Sequence, residues 1–490
     1  MRRKQSKPHA LSAIATSARA LARGKKLPAE PGRFVRHYYS QAEPDDLGAD
    51  PRMLAAAALD HLEFAGRRSP RTAKVRVFNP TLERDGWTSD HTIVEMVNDD
   101  MPFLVDSSTL TLTALGHSIY VTIHPLVQAE RTRGRLTAVK VAQKAAAKAK
   151  RESLIHIEIQ RETDVRVLDR LRKALLRALR DVRVAVRDWK AMRRALAAAT
   201  AELRKSDLKD RELLVESCAL LDWLSNNHFT LLGYREYALK PGAEADELRP
   251  LPGTGLGLLR ADTRMGGAVT LSGRARTAAR AATPLVITKA NARSTVHRPA
   301  LLDHIGVKVF GRDGVPRKER RFIGLFTSIA YNESPRDIPL LRHKVAAVVA
   351  RSGLDPNSHA GKTLQHILDT FPRDELFQAS TEELADTSAG VLALQDRHKI
   401  RLFCRREPFG RFFSCLVYLP RDHYSARARR RIEQLLLARL GGTSVESEIA
   451  ISESALARLV VTVHVDPAET MRPDVSAIEK DLGEAIRTWP

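Results

Sequence analysis

Apolar residues recur along this chain at two spacings, every second position and about every 3.6 positions, and the order of the two predicts its elements. Val75–Asn79 and Thr92–Val97 read as strands, the second stopping at Asn98-Asp99-Asp100. Met101–Gly116 reads as a helix, with Pro102 just inside its first turn and Gly116 at its end. His117–Leu126 alternates Ile119, Val121 and Ile123 against polar neighbours, and Leu154–Ile159 repeats the alternation. Val165–Arg204 then carries Leu168, Leu171, Leu175, Val182, Val186, Trp189 and Leu196 at near-helical spacing, as one long or broken helix. Upstream, Pro28–Tyr39 and Pro51–Arg67 predict a short helical lead-in. Strand, helix, strand, strand, helix opens a ferredoxin-like sandwich, in which two helices cover one face of an antiparallel sheet. Its last strand is not evident, because helical periodicity continues where that strand is due.

Beyond Arg204 the pattern changes. Helix Glu212–Asn226 turns into strand Phe229–Tyr237, and Pro241–Arg280, rich in Gly, Pro and Ala, predicts loops around one short strand at Leu256–Arg260. Pro284–Ala290, Ile305–Phe310 and Glu319–Tyr331 read as strands, with a hairpin turn at Arg312-Asp313-Gly314, which makes a small, mostly antiparallel β-rich domain. Helices follow at Pro339–Arg351, Lys362–Thr370 and Thr381–Gly390. A second small sandwich closes the chain: strands Lys399–Cys404 and Arg411–Leu419, helix Ala426–Leu440, strands Ser444–Ile451 and Ala457–Val465, and helix Asp474–Trp489. The expected fold class is multidomain α/β, of the α+β kind. Its expected parts are a basic disordered tail (1–32), a sandwich with lead-in and long helix (33–204), a β-rich middle domain (205–338), a helical connector (339–395) and the second sandwich (396–490).

The net charge of +22 invites a nucleic-acid reading, but its distribution argues against it. Much of the surplus lies in Met1–Lys26 and in the Ala/Lys tract Ala138–Arg151, other arginines sit among alanines and leucines on helices, and aromatics at 5% leave few platforms for stacked bases. Cys218, Cys404 and Cys415 show no metal-ligand spacing, which suggests a reducing compartment and core packing. No stretch approaches the length of a membrane span, and cytoplasm is the expected location. The chain stops at Trp489-Pro490 without tail composition, as a truncated piece of a longer design would.

Candidate chemistry is sparse. Gly253-Thr254-Gly255-Leu256-Gly257 lacks the final glycine and the following helix of a dinucleotide fingerprint. Ser294, His297, Asp303 and His304 are close in sequence, and a strand-end hydrogen-bond cluster explains them better than a triad. His359 and His366 lack a nearby carboxylate for zinc. The loop Asn98-Asp99-Asp100-Met101-Pro102-Phe103 joins a strand to a helix N-terminus. Free N–H groups there can hold a small carboxylate while Asp99 or Asp100 faces its ammonium, the chemistry of an amino-acid effector; the alternative is N-capping by Asp100. Phe371–Phe377 clamps Arg373, Asp374 and Glu375 between two aromatics behind Pro372. It reads as a helix start, or as a domain-coupling junction in which Arg373 makes a fixed ion pair.

Asn98–Asp106, Leu221–Leu224 leading into Phe229–Tyr234, Lys289–Arg298, Arg321–Tyr331, Phe371–Phe377 and Val417–Tyr424 together resemble the N-terminal region of the large, NAD-specific bacterial glutamate dehydrogenases. The resemblance implies that both sandwiches are ACT-like. It also implies a homo-oligomeric enzyme converting glutamate, NAD and water to 2-oxoglutarate, ammonium and NADH, with its dehydrogenase domain far downstream. On that reading this stretch is the regulatory and assembly portion. No catalytic, cofactor or metal residue carries over to it, and NAD belongs to the full-length enzyme. A free-standing ACT-type amino-acid-binding or oligomerisation scaffold is the alternative. Glu407-Pro408 departs from the family pattern, which has an Asp after the arginines.

Overall fold

The computed structural model describes residues 6–141, 151–260, 266–394, 399–450, 455–468 and 471–487; most of the Ala/Lys tract and the first five residues lie outside them. The chain divides into two compact units, residues 1–189 with 292–301 and residues 190–291 with 302–490.

The first unit is built on a sheet of six antiparallel-paired strands. These are β1 (Lys74–Phe78), β2 (Thr92–Asp99), β3 (Ile119–Ile123), β4 (Leu126–Thr132), β5 (Arg135–Val141) and β6 (Arg151–Ile159), in the order β1-β2-β6-β4-β5 with β3 also on β6. β3 pairs with the C-terminal half of β6 and β4 with its N-terminal end, Pro125 falling between them. β2 is buried almost throughout, so its side chains on both faces are covered. Met96 and the Ser108 hydroxyl meet on one face, that of helix Leu104–Ala114. Glu95 and Val97 face helix Pro51–Phe64 and its neighbours. Residues Lys7–Leu21, expected to lie in a disordered tail, form a helix against that side. Ala10, Ile14 and Ala18 fall four apart and enter a core with Phe34, Val35, Tyr38, Leu62, Val97 and Leu154. Small apolar residues at helical spacing, masked by the surrounding bases, supply the stripe that orders this segment. Helix Val165–Arg204 is continuous over 40 residues.

The second unit holds two sheets. β7 (Phe229–Lys240), β8 (Asp246–Pro250), β9 (Leu256–Gly257), β10 (Val269–Leu271), β11 (Leu285–Arg293), β12 (Leu301–Phe310) and β13 (Pro316–Phe326) form the first, in the order β10-β8-β7-β13-β12-β11 with β9 on β7. Gly257 has φ +57°, and a Cβ there would collide with the Leu232 carbonyl. Gly257 thus serves a close strand approach rather than a phosphate cradle. The other sheet, β14 (Arg401–Arg406), β15 (Phe412–Pro420), β16 (Ser444–Ala450) and β17 (Leu456–His464), has the order β14-β15-β17-β16. All nine residues of β15 are buried, as a central strand covered on both faces must be. Cys415, Val417 and Leu419 pack with Ile432 and Leu436 of helix Ala426–Arg439 and Leu482 of helix Val475–Arg487. Leu416 and Tyr418, on the opposite face, join the core formed by helices Leu341–Ser352, His359–Asp369, Arg373–Gln378 and Thr381–Leu394.

Candidate functional site

In the first unit, β2 extends to Asp99, so Asn98 and Asp99 belong to a strand and only Asp100–Phe103 form the turn. Helix Leu104–Ala114 starts three residues later than its periodicity suggests. Phe103, at φ 71°, is its N-cap, and no side chain caps it, so Asp100 does not. Both carboxylates, Asp99 at the strand end and Asp100 in the turn, are taken by arginine. Asp99 accepts from Arg68 and Arg183, each at 2.6 Å, and Asp100 pairs with Arg151 at 3.2 Å. Burial raises the Asp99 pKa, but hydrogen bonds from Arg183 and Arg68 outweigh it and hold the carboxyl below its ordinary range. Glu152 takes Arg68 and Arg131 at 2.7 Å each, which completes a buried ionic lattice at the end of β2 and β6. Arg183 also reaches Asn98 Oδ1, while the buried Asn98 Nδ2 has no hydrogen-bond partner. Beside the turn, His297 lies 3.2 Å from Asp106, its N–H donates to Ser107, and its ring stands 5.1 Å from that of Phe103. The residues close to His297 in sequence therefore have separate partners. His297 meets Asp106, Ser294 folds onto Val296, and Asp303 and His304 meet Lys289 and Glu319 respectively.

The same sheet holds a cluster that no sequence spacing reveals. His61, Glu95 and His156 are all buried, and one potential ligand atom from each lies within 4.8 Å of the others. Glu95 and His156 face each other across β2 and β6, and His61 descends from helix Pro51–Phe64. Tyr38 hydroxyl is 2.8 Å from His61 Nδ1, and Arg76 donates to Glu95 at 2.7 Å. Burial depresses His61 to about 4, which leaves it neutral. Burial acts the same way on His156, but hydrogen bonds to Glu158 and Glu95 overcome it and lift that imidazole to about 9. Glu95, raised by burial, is brought down to about 2 by the two histidines and Arg76. With Arg76 and an imidazolium already on Glu95, that carboxylate is satisfied within a buried ion network, while the buried His61 Nε2 has no hydrogen-bond partner.

In the second unit the Phe371–Phe377 block forms helix Arg373–Gln378, with Pro372 at its N-cap. Each of its three charged residues goes to a different element. Arg373 makes no ion pair among the described residues: it donates one bond, 2.6 Å, to the Glu333 carbonyl, and its Nε and Nη1 are buried without partners. Burial lowers its pKa accordingly. Asp374 instead pairs at 2.9 Å with Lys289 of β11, which is also held at 2.6 Å by Asp303 of β12. Glu375 receives Arg405 of β14 at 3.0 Å and the Ser414 hydroxyl of β15 at 2.6 Å. Lys344 closes the other end of the helix, donating to the carbonyls of Leu376, Phe377 and Ala379 at 2.7–3.0 Å. Its burial pushes the ammonium down to about 8. Phe377 stacks on Phe326 of β13, centroids 4.9 Å apart. Helix Arg373–Gln378 thus ties the seven-stranded sheet to the four-stranded one.

A second tie runs alongside. Glu407, fully buried, accepts from Thr288 of β11 at 3.0 Å and from Arg411 at 2.6 Å, and Arg411 also donates to the Lys289 carbonyl. Glu407 therefore has a structural task despite departing from the family pattern. Lys289, Arg405, Glu95 and His156 were all missed as site residues in the sequence. Their one signal is a charge set within an otherwise apolar strand, which demands a buried partner. A cavity of about 530 Å³ in this unit is lined by Leu213, Glu216, Ser217, Leu285, His343 and Lys344 among others. The Ser217 hydroxyl is buried without a partner.

Residues 34–175 match the family model described as glutamate dehydrogenase, ACT1 domain; residues 338–397 match its helical motif 1, and residues 401–490 its ACT2 domain. The NAD-specific glutamate dehydrogenase of Pseudomonas aeruginosa is 36% identical over 463 residues, which cover 93% of this chain and 28% of that protein. That of Halomonas elongata is 35% identical over 484 residues, covering 94% and 29%. That of Mycobacterium tuberculosis is 27% identical over 414 residues, covering 81% and 24%. The chain spans less than a third of the length of these relatives. No helix among the described residues is long and apolar enough to cross a membrane. The ACT1, helical and ACT2 matches fall in the order of the three regions just described, and on them the chain belongs to the large NAD-specific glutamate dehydrogenase family, whose N-terminal region it matches.

Proposed function

We propose that this chain is the regulatory and assembly portion of an NAD-dependent glutamate dehydrogenase, acting in the cytoplasm as part of a homo-oligomer. Glutamate oxidation to 2-oxoglutarate, ammonium and NADH, with NAD as cofactor, is carried by residues outside these 490. The relatives are named NAD-specific glutamate dehydrogenases, and this chain matches the glutamate dehydrogenase ACT1, ACT2 and helical motif 1 models. The observation that carries the regulatory reading is the helix Arg373–Gln378, whose Asp374 pairs with β11 and whose Glu375 holds β14 by a buried ion pair and β15 by the Ser414 hydrogen bond. Such a bridge transmits a displacement of one sheet to the other when a ligand binds two arrangements with different affinity.

The effector reading of Asn98–Phe103 takes a sharper chemical form. Asp99 and Asp100 are occupied by arginines, so an incoming ligand competes for Arg68 and Arg183 with its own carboxylate and offers an acceptor to the free Asn98 Nδ2. A small amino acid suits both. Calorimetry with a panel of amino acids tests this: one of them should release heat, and Arg183→Ala and Asn98→Ala should abolish it. Heat from none, or heat unchanged in both variants, removes the effector site. The chain alone should form no NADH from glutamate and NAD, and steady NADH production by the purified chain would overturn the division of labour. Light scattering checks the oligomer: a monomer at every concentration counts against assembly.

A further inference from the structure

Cys404 of β14 and Cys415 of β15 are direct partners in the antiparallel register, and the Cys415 thiol donates to Cys404 Sγ at 3.3 Å. Neighbouring residues on paired antiparallel strands hold their Cα atoms about 4.5–5.5 Å apart, inside the window a disulfide requires. Bonding therefore needs only that the sulfurs close from 3.3 Å to about 2.05 Å by side-chain rotation. One of the two is reachable from solvent: Cys404 is partly exposed, and Cys415 is fully buried. β14 is an edge strand and can shift without breaking a second ladder. Cys218, the third cysteine, is buried near the Thr200 carbonyl, and no other thiol lies in contact with it among the described residues.

We propose that Cys404 and Cys415 form a dithiol–disulfide site that takes a low-molecular-weight disulfide as its oxidant. Cys404, as thiolate, attacks one sulfur of the small disulfide, making a mixed disulfide and releasing one small thiol. Cys415 gives up its proton and attacks Cys404 Sγ, expelling the second small thiol. The two protein thiols lose two protons and two electrons, and the small disulfide becomes two thiols. The order of attack follows from exposure. It agrees with the Cys415 thiol being held protonated, first by its contact with Cys404 and then by burial. The next pair along the same two strands is Arg405 and Ser414, which hold Glu375. If the coupling proposed above holds, closing the disulfide sets the strand geometry at that junction.

The test uses the whole chain, exposed to oxidised glutathione under native conditions and then denatured for thiol counting and peptide mapping. Of three thiols one should remain, with a Cys404–Cys415 linked peptide and two hydrogens lost from the intact mass. Cys218→Ser should still form the link and leave no thiol. Cys415→Ser should stop with one glutathione on Cys404, and Cys404→Ser should keep both of its thiols. Three thiols surviving in the parent chain, a parent chain that halts at the mixed disulfide, or a link through Cys218 would each overturn the proposal. A native melt of every variant before oxidation separates failure to fold from failure to react.

Discussion

The two ACT-matching sheets are built alike and filled differently. In the first unit, the centre of the sheet, where β2 meets β6, carries Glu95 and His156 on a buried face, joined there by His61 and Arg76. In the second unit, the matching centre of β15 and β17 carries Cys415, Val417, Leu459, Val461 and Val463 against its helices. Its opposite face carries the largely buried Arg405, which meets Glu375 of helix Arg373–Gln378. A sheet face packed with aliphatic side chains gains from burial alone and is indifferent to pH. One with buried charges is held only while every charge has its partner, so it answers to protons.

The comparison breaks most sharply at Glu95. Glu95→Ala removes the buried carboxylate shared by Arg76 and the His156 imidazolium, leaving them only Asp60 and Glu158, and should cost the first unit about 3–5 kcal/mol, read by denaturant unfolding. Leu459→Ala in β17 should cost the second unit about 3 kcal/mol, equally at pH 6 and pH 9, through the cavity it leaves. A pH-dependent loss there would show that this face is less apolar than its packing indicates.

The proton response itself is the next test. His156 has its pKa raised from 6.5 to about 9, so its contribution is complete below pH 6.5 and is lost as pH rises through 9. That amounts to up to about 3 kcal/mol. Glu95 is lowered from 4.5 to about 2, so its contribution holds above 4.5 and is lost as pH falls toward 2. His61, depressed to about 4, acts against stability as pH falls from 6.5. The first unit should therefore lose stability between pH 6.5 and 9, and His156→Gln should flatten that limb; a limb that survives the substitution assigns it elsewhere. The smallest expected effect lies on the charged face of the second sheet. Glu375→Gln keeps the shape and the Ser414 bond but weakens the pairing with Arg405, at about 1–2 kcal/mol, and should speed proteolysis between residues 378 and 400. Unchanged cleavage would argue that the junction is passive.

Much of the fold was legible in the sequence. Strands such as Thr92–Val97 and Ala457–Val465 and the long helix Val165–Arg204 emerged near their predicted bounds because a two-residue or 3.6-residue period reports directly which side of an element is buried. Short elements without a period were missed: β8, β10 and the β4–β5 hairpin, whose stability comes from neighbouring strands. The helix Lys7–Leu21 was missed because its stripe is mostly alanine around the single Ile14, which composition counts as filler for a tail.

For the site, the sequence singled out Asn98–Phe103 and Arg373–Glu375 as unusual but could not assign their partners. Arg68 and Arg183 lie 31 and 84 residues from Asp99, and Lys289 and Arg405 lie in strands far from Asp374 and Glu375. Periodicity is a local property fixed by backbone geometry, so the sequence by itself determined the elements that carry a clear period, their faces and the family. Which charge meets which, whether Arg373 pairs or only donates to a carbonyl, and whether two thiols stand side by side depend on strand register and on long-range contacts. Only the tertiary structure decided these, because the free energy of a buried charge or thiol is set by atoms that the chain brings to it from elsewhere.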